Sequence, residues 1–167
     1  MLSELLKLVK YKAWANEITF SALSKISGAE LYKKRETNFK NISSTLNHVY
    51  VVDDIFKSHL LSKEHSYSSR NTEVCPNFSE LWKQQKVIDQ WYISFVSKLE
   101  AQSYDDIIDF EYVDGGKGKM SISEIIFHIV NHGTYHRGFV SDMMYQIPSI
   151  PPANDLTVYL RDVHKNV

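Results

Sequence analysis

Apolar residues recur near the start of the chain at alternating steps of four and three, at Leu2, Leu6, Val9, Ala13, Phe20 and Leu23, with Asn16 the one polar member of the row. This is the period of a helix that buries one face, and it predicts a helix over roughly Leu2 to Ile26. A second helix is predicted from about Ile42 to Leu61. There Ile42, Leu46, Val49, Val52, Ile55, Phe56 and Leu60 share a broad face that also holds His48. The run Asn77-Phe78-Ser79-Glu80 has the form of a capping box and opens a third helix reaching about Leu99, with Leu81, Gln85, Ile88, Tyr92, Phe95 and Leu99 inward. The period then changes. Ile108, Phe110 and Tyr112 alternate with polar residues, Asp114-Gly115-Gly116 intervenes, and Lys119-Met120 follows. A short β-hairpin is predicted between Ile107 and Met120. Ser121-Ile122-Ser123-Glu124 forms a second capping box. It starts a fourth helix that continues to about Gln146 and stops before Pro148. A last short helix is expected to start near Asn154 or Asp155.

Four long amphipathic helices in 167 residues predict an all-α fold, a four-helix bundle with a small hairpin before helix four and a short C-terminal helix. A single domain spanning residues 1–167 is expected. The long third connection, carrying the hairpin, permits a topology other than up-down-up-down.

The fourth helix departs from its own pattern. Its inward row is Ile122, Ile125, Ile129, His132, His136, Val140, Met143 and Ile147, so two imidazoles stand where the period asks for apolar side chains. Residues four apart share a helix face with Cβ atoms about 5–6 Å apart, close enough for both to reach one ion at about 2.0–2.1 Å. A third ligand must come from another helix, and His48 is the histidine centred on an apolar face of helix two. Three unligated imidazoles in a core would each need polar partners, at a cost of several kcal/mol in sum if left without them. A single cation satisfies all three. Each four-residue step turns about 40° further round the helix, so His128 drifts away from His136 and reads as a supporting or structural residue. His59, His65 and His164 read as surface residues.

Composition narrows the chemistry. A net charge of −1 gives the molecule no electrostatic reason to seek nucleic acid. One cysteine, Cys75, rules out a disulfide framework and a cysteine-rich zinc site. No stretch is apolar and long enough to span a bilayer, and the first residues lack a signal-peptide pattern. A cytoplasmic protein with no membrane partner is the expectation. Three neutral nitrogens suit Zn, Ni, Fe or Co and leave a coordination position open, as catalytic sites do.

At these residues the chain resembles the DinB/YfiT-like family, which takes its name from a damage-inducible bacillary protein and is unrelated to the DNA polymerase of the same name. The matching pieces are Tyr11-Lys12-Ala13-Trp14-Ala15-Asn16, Leu46-Asn47-His48, the run from His128 to Gly138 that includes His136-Arg137-Gly138, and the tail from Pro151 to Arg161. The resemblance implies a four-helix bundle, a divalent metal held by His48, His132 and His136, and frequent homodimers. It also implies kinship with transferases and isomerases that use a low-molecular-weight thiol and an electrophilic small molecule. A metal-dependent thiol S-transferase is therefore the leading expectation. A metal-dependent hydrolase and a non-catalytic stress-response module are the alternatives. Trp14 and Asn16 are expected in the core rather than at the pocket, Asn47 or Tyr135 either beside a ligand imidazole or on the exposed helix surface, Arg137 in a structural ion pair, and Gly138 at a close helix approach.

Overall fold

In a computed structural model that describes residues 2–100 and 102–165, the predicted helices form with small changes at their ends. They are α1 (Leu2–Leu23), α3 (Ile42–Leu60), α4 (Phe78–Ser97) and α5 (Ile122–Tyr145), with a short α2 (Gly28–Tyr32) that periodicity did not signal. The hairpin pairs β1 (Ile107–Glu111) with β2 (Lys117–Ser121), Ile107 opposite Ser121 and Glu111 opposite Lys117. The C-terminal turn is α6 (Leu156–Tyr159), continued by a wider turn over Leu160–His164.

Local chemistry accounts for the boundaries. Asn41 caps α3 by accepting from Ser44 N at 2.7 Å. Ser121 and Glu124 complete the reciprocal capping box of α5, at 3.2 and 2.7 Å. The predicted box at α4 is only half formed. Asn77 accepts from Ser79 N, whereas Glu80 turns outward toward Lys83. In the hairpin, Gly115 has φ +85°, which favours glycine, and a side chain at Gly118 would collide with the Phe110 ring across the strands.

The order of the helices follows from two apolar clusters at opposite ends of the molecule. One joins Leu5 and Val9 of α1 to Val52 and Phe56 of α3, Ile88 and Tyr92 of α4, and Ile125 and Ile129 of α5. The other joins Phe20 and Leu23, Ile42 and Leu46, Phe78 and Leu81, and Val140 and Met143. The first half of α1 thus lies level with the first half of α5 and the second halves of α3 and α4. The directions are up, down, down, up. α1 packs on α4 and α5, and α3 packs on the same two. The hairpin connection joins neighbouring ends. The segment that runs the length of the bundle is the polar stretch after α3, residues 61–77.

Between the two clusters lies a polar layer. The Lys12 ammonium, 1% exposed, donates to Asp53 Oδ2 at 2.6 Å and Asp89 Oδ1 at 2.7 Å. Asn16 donates to Asp89 Oδ2 at 2.9 Å, and Gln85 donates to Asp53 and Asp89 at 3.0 and 3.1 Å. Arg137 donates to Asn16 Oδ1 at 3.0 Å and Thr134 Oγ1 at 2.9 Å. Two expectations are corrected here. Among the described residues Arg137 makes no ion pair, reaching Asp89 only through Asn16. Gly138 faces open space, and it is Gly133 whose Cβ would lie 3.2 Å from Arg137 Nη1 and 3.6 Å from Lys12 Cε. The inward row of α1 also shifts, to Leu5, Val9, Lys12, Asn16, Phe20 and Leu23, while Leu2, Leu6 and Ala13 are half-buried.

Candidate metal centre

The layout of α3 and α5 brings His48, His132 and His136 together. One ring nitrogen of each lies within 4.8 Å of the other two. The ring centroids are 4.5 Å apart for His132 and His136, 4.6 Å for His48 and His136, and 4.9 Å for His48 and His132. His48 Nε2 and His132 Nε2 stand 3.0 Å apart. A tetrahedral ion with Zn–N bonds of about 2.05 Å separates its ligand nitrogens by about 3.3 Å, so the His48–His132 pair needs only a few tenths of an ångström of movement, with the His136 nitrogen within 4.8 Å of both.

The hydrogen bonds support that use. His48 Nδ1 lies 2.5 Å from the Arg70 carbonyl, which can only accept. His48 is therefore the tautomer protonated at Nδ1, with its Nε2 lone pair facing the other two rings. Metal-binding imidazoles are commonly oriented in this way by a carbonyl on the far nitrogen. No carboxylate pairs with any of the three rings among the described residues, and the Nδ1 atoms of His132 and His136 are buried without a protein partner.

Electrostatics keep the rings neutral. Burial, then His136 and His48, push the His132 ring down to about 2. Burial and then His48 take His136 down to about 4. Burial also lowers His48, against the opposing pull of the Arg70 carbonyl. Neutral imidazole is the ligand form, so protons compete weakly for these nitrogens near neutral pH.

Beside the triad lies a cavity of about 200 Å³. Val52, Ile55, Phe56 and Met120 give it an apolar lining, and Arg70, Tyr112, Asp114, His59 and His128 add polar groups. His128 stands apart from the convergent set, as expected, packing against Phe56 at 4.7 Å and His132 at 5.6 Å. His59 is half-buried against Phe110 and His65 half-buried against His59, so neither is the surface residue predicted, while His164 is exposed.

A scan of family models places residues 1–164 in one match, described as the DinB family. The chain belongs to the DinB family. It is also similar to Protein DinB of Bacillus subtilis (strain 168), at 28% identity over 160 residues covering 92% of each chain. Family membership and the three-histidine group together fit a metal-binding DinB-like protein.

The family motifs sort by position. Asn16 is a buried hydrogen-bonding residue of the polar layer, and Trp14 packs on Tyr11 and Tyr159, so neither lines the cavity beside the histidines. Tyr135 is exposed with its ring against the edge of His136 at 5.0 Å. Asn47 is buried beside His48 and reaches the 61–77 segment. Sequence reasoning missed Phe39, which stacks on His48 with centroids 4.2 Å apart, and the Arg70 carbonyl. Both lie in irregular segments, where no period marks a residue as inward. Among the described residues no helix is long and apolar enough to cross a membrane.

Proposed function

We propose that this DinB-family protein is a divalent-metal-dependent transferase that joins a low-molecular-weight thiol to a small electrophile. The observation that carries the reading is the convergence of three imidazoles from two helices, two of which, His48 and His132, line a largely apolar cavity. A divalent ion held by His48, His132 and His136 supplies a Lewis acid that favours the thiolate form of a thiol. The residues of the chain supply the rest. Val52, Ile55, Phe56 and Met120 exclude water and accept the apolar part of the electrophile, which strengthens electrostatic interactions in the site. The Arg70 guanidinium, exposed at the cavity and without a carboxylate partner among the described residues, is available to an acidic group on the thiol. Hydrolysis is the weaker reading. Asp114, the one carboxylate that lines the cavity, is exposed and already accepts from Gly116 N at 3.3 Å.

The test begins with elemental analysis of protein purified without a histidine tag, which should find an equimolar divalent ion. Saturation at about a hundred times the dissociation constant stabilises the fold by about 2.7 kcal/mol, and so raises the melting temperature by about 5–10 °C for a chain of this size. His132→Ala should remove both the ion and that gain. With metal loaded, a panel of small thiols and electrophiles should show turnover that a chelator stops. Equal rates in the loaded and chelated protein across the panel would reject a catalytic role for the ion.

A further inference from the structure

Asn47 precedes the candidate ligand His48 on α3, is fully buried, and contributes nothing to the triad or the cavity lining. Its amide nitrogen donates to Asn71 Oδ1 and, at 2.6 Å, to Thr72 Oγ1. The orientation of that amide is fixed from the far side. Asn71 Oδ1 also accepts from Thr72 N at 3.0 Å, and Asn71 Nδ2 donates to the Ser44 carbonyl at 3.0 Å, so Asn71 cannot be flipped without losing both bonds. The Thr72 hydroxyl gives its proton to the Val74 carbonyl at 2.8 Å, so toward Asn47 it can only accept. Two independent acceptors therefore require the Asn47 NH₂ group at this place, while its Oδ1 is buried without a partner.

The residues so held adjoin Arg70, whose carbonyl fixes the His48 tautomer. The stretch from Ser66 to Val74 has no helix or strand to hold it and is largely exposed, so its position relative to α3 depends on side-chain bonds. Tyr67 to Asp54 at 2.9 Å is one such tie, and Asn47 supplies the pair next to the carbonyl. We propose that Asn47 is a positioning residue for His48, acting through the 61–77 segment: it pins Asn71 and Thr72 so that the Arg70 carbonyl holds His48 protonated at Nδ1, with Nε2 turned to the metal. The inference rests on the reading of His48 as a metal ligand.

The test keeps the α3 sequence by changing the acceptors, and Asn47→Ala, which leaves the Asn71 bond to the Ser44 carbonyl in place, isolates the Asn47 amide. Full-length protein with ¹⁵N-labelled histidine is freed of metal, and the His48 tautomer is read by long-range ¹H–¹⁵N correlation near neutral pH, alongside zinc affinity by chelator competition. In the wild type, and in Thr72→Ser, which keeps the hydroxyl, His48 should be protonated at Nδ1. In the Asn71→Ala/Thr72→Val double variant the ring should become a mixture of tautomers, and zinc affinity should fall about 10- to 100-fold. Asn47→Ala, where it folds, should match the double variant. A double variant whose His48 stays protonated at Nδ1 overturns the proposal, whether or not zinc affinity changes. Wild-type protein that binds no zinc defeats the metal reading alone, because the tautomer comparison is made without metal.

Discussion

At the residue scale, two glycines of α5 separate helix propensity from packing. Both are helical and five residues apart. Gly138 has open space where a Cβ would stand, and Gly133 has Arg137 Nη1 at 3.2 Å. Alanine in an exposed helix interior gains about 1 kcal/mol over glycine. Gly138→Ala should therefore stabilise the protein by about that amount in urea unfolding. Gly133→Ala should fall short of it or destabilise, because Arg137 is held by Asn16 and Thr134 and has little room to give. Equal stabilisation by both would show that the polar layer is softer than its bonds imply. The same scale shows why some residues were legible in the sequence and others were not. His132 and His136 announced themselves by interrupting an apolar row, and His48 by sitting within one. Lys12 occupies an inward position, but its stem and charge resemble those of any surface lysine, and a second apolar row through Leu2, Leu6 and Ala13 competed with the true one. A balanced set of charges on inward positions, Lys12 against Asp53 and Asp89, was the signal available.

At the scale of elements, start signals were legible where side chain and backbone close a reciprocal pair. Ser121 and Glu124 do so at α5, the helix that carries two of the three candidate ligands. Ser121→Ala removes the acceptor for Glu124 N and should cost about 1 kcal/mol, measured as a lower urea midpoint at unchanged slope. An unchanged midpoint would mean that the hairpin alone fixes this end of the helix. The hairpin was legible from its alternation and its glycines. The short α2 was not, since five residues carry too little of a period to read. Phe39 and Arg70 belong to connections, whose conformation follows from tertiary contacts that neighbouring letters do not specify.

At the scale of the whole molecule, the four long helices were legible and their arrangement was not. Nothing local distinguishes neighbours from diagonals, and the traverse fell to residues 61–77 instead of the hairpin connection. The polar layer makes global stability depend on pH in a stated direction. Burial, against the pull of Lys12 and with the repulsion of Asp89, raises Asp53 from 3.8 to about 6. Burial pulls the Lys12 ammonium down, but Asp53 and Asp89 more than reverse this and leave it raised. Between about pH 4 and 6 the folded protein therefore holds a proton at Asp53 that the unfolded chain has released. This contribution to stability is present in full below 3.8, declines as pH rises through 6, and is level above. Relative to Asp53→Asn, the wild type should lose on the order of 3 kcal/mol across that window. Denaturant titrations of both proteins at several pH values give the difference, which cancels the opposing contribution of the histidines. Parallel curves would mean that Asp53 is ionised throughout.

The salt-bridged layer also has a consequence for alignment. A purely greasy interior tolerates a helix sliding by one turn, because one leucine serves nearly as well as the next. Here a one-turn slip of α1 would carry the Lys12 ammonium into hydrocarbon and leave two carboxylates facing each other. Opposed signs at mid-height thus work as a detent, selecting a single vertical setting of the rods. Of the two walls that present the imidazoles, α3 takes its height from Asp53, and α5 is tied to the same layer by the Arg137 bond to Asn16.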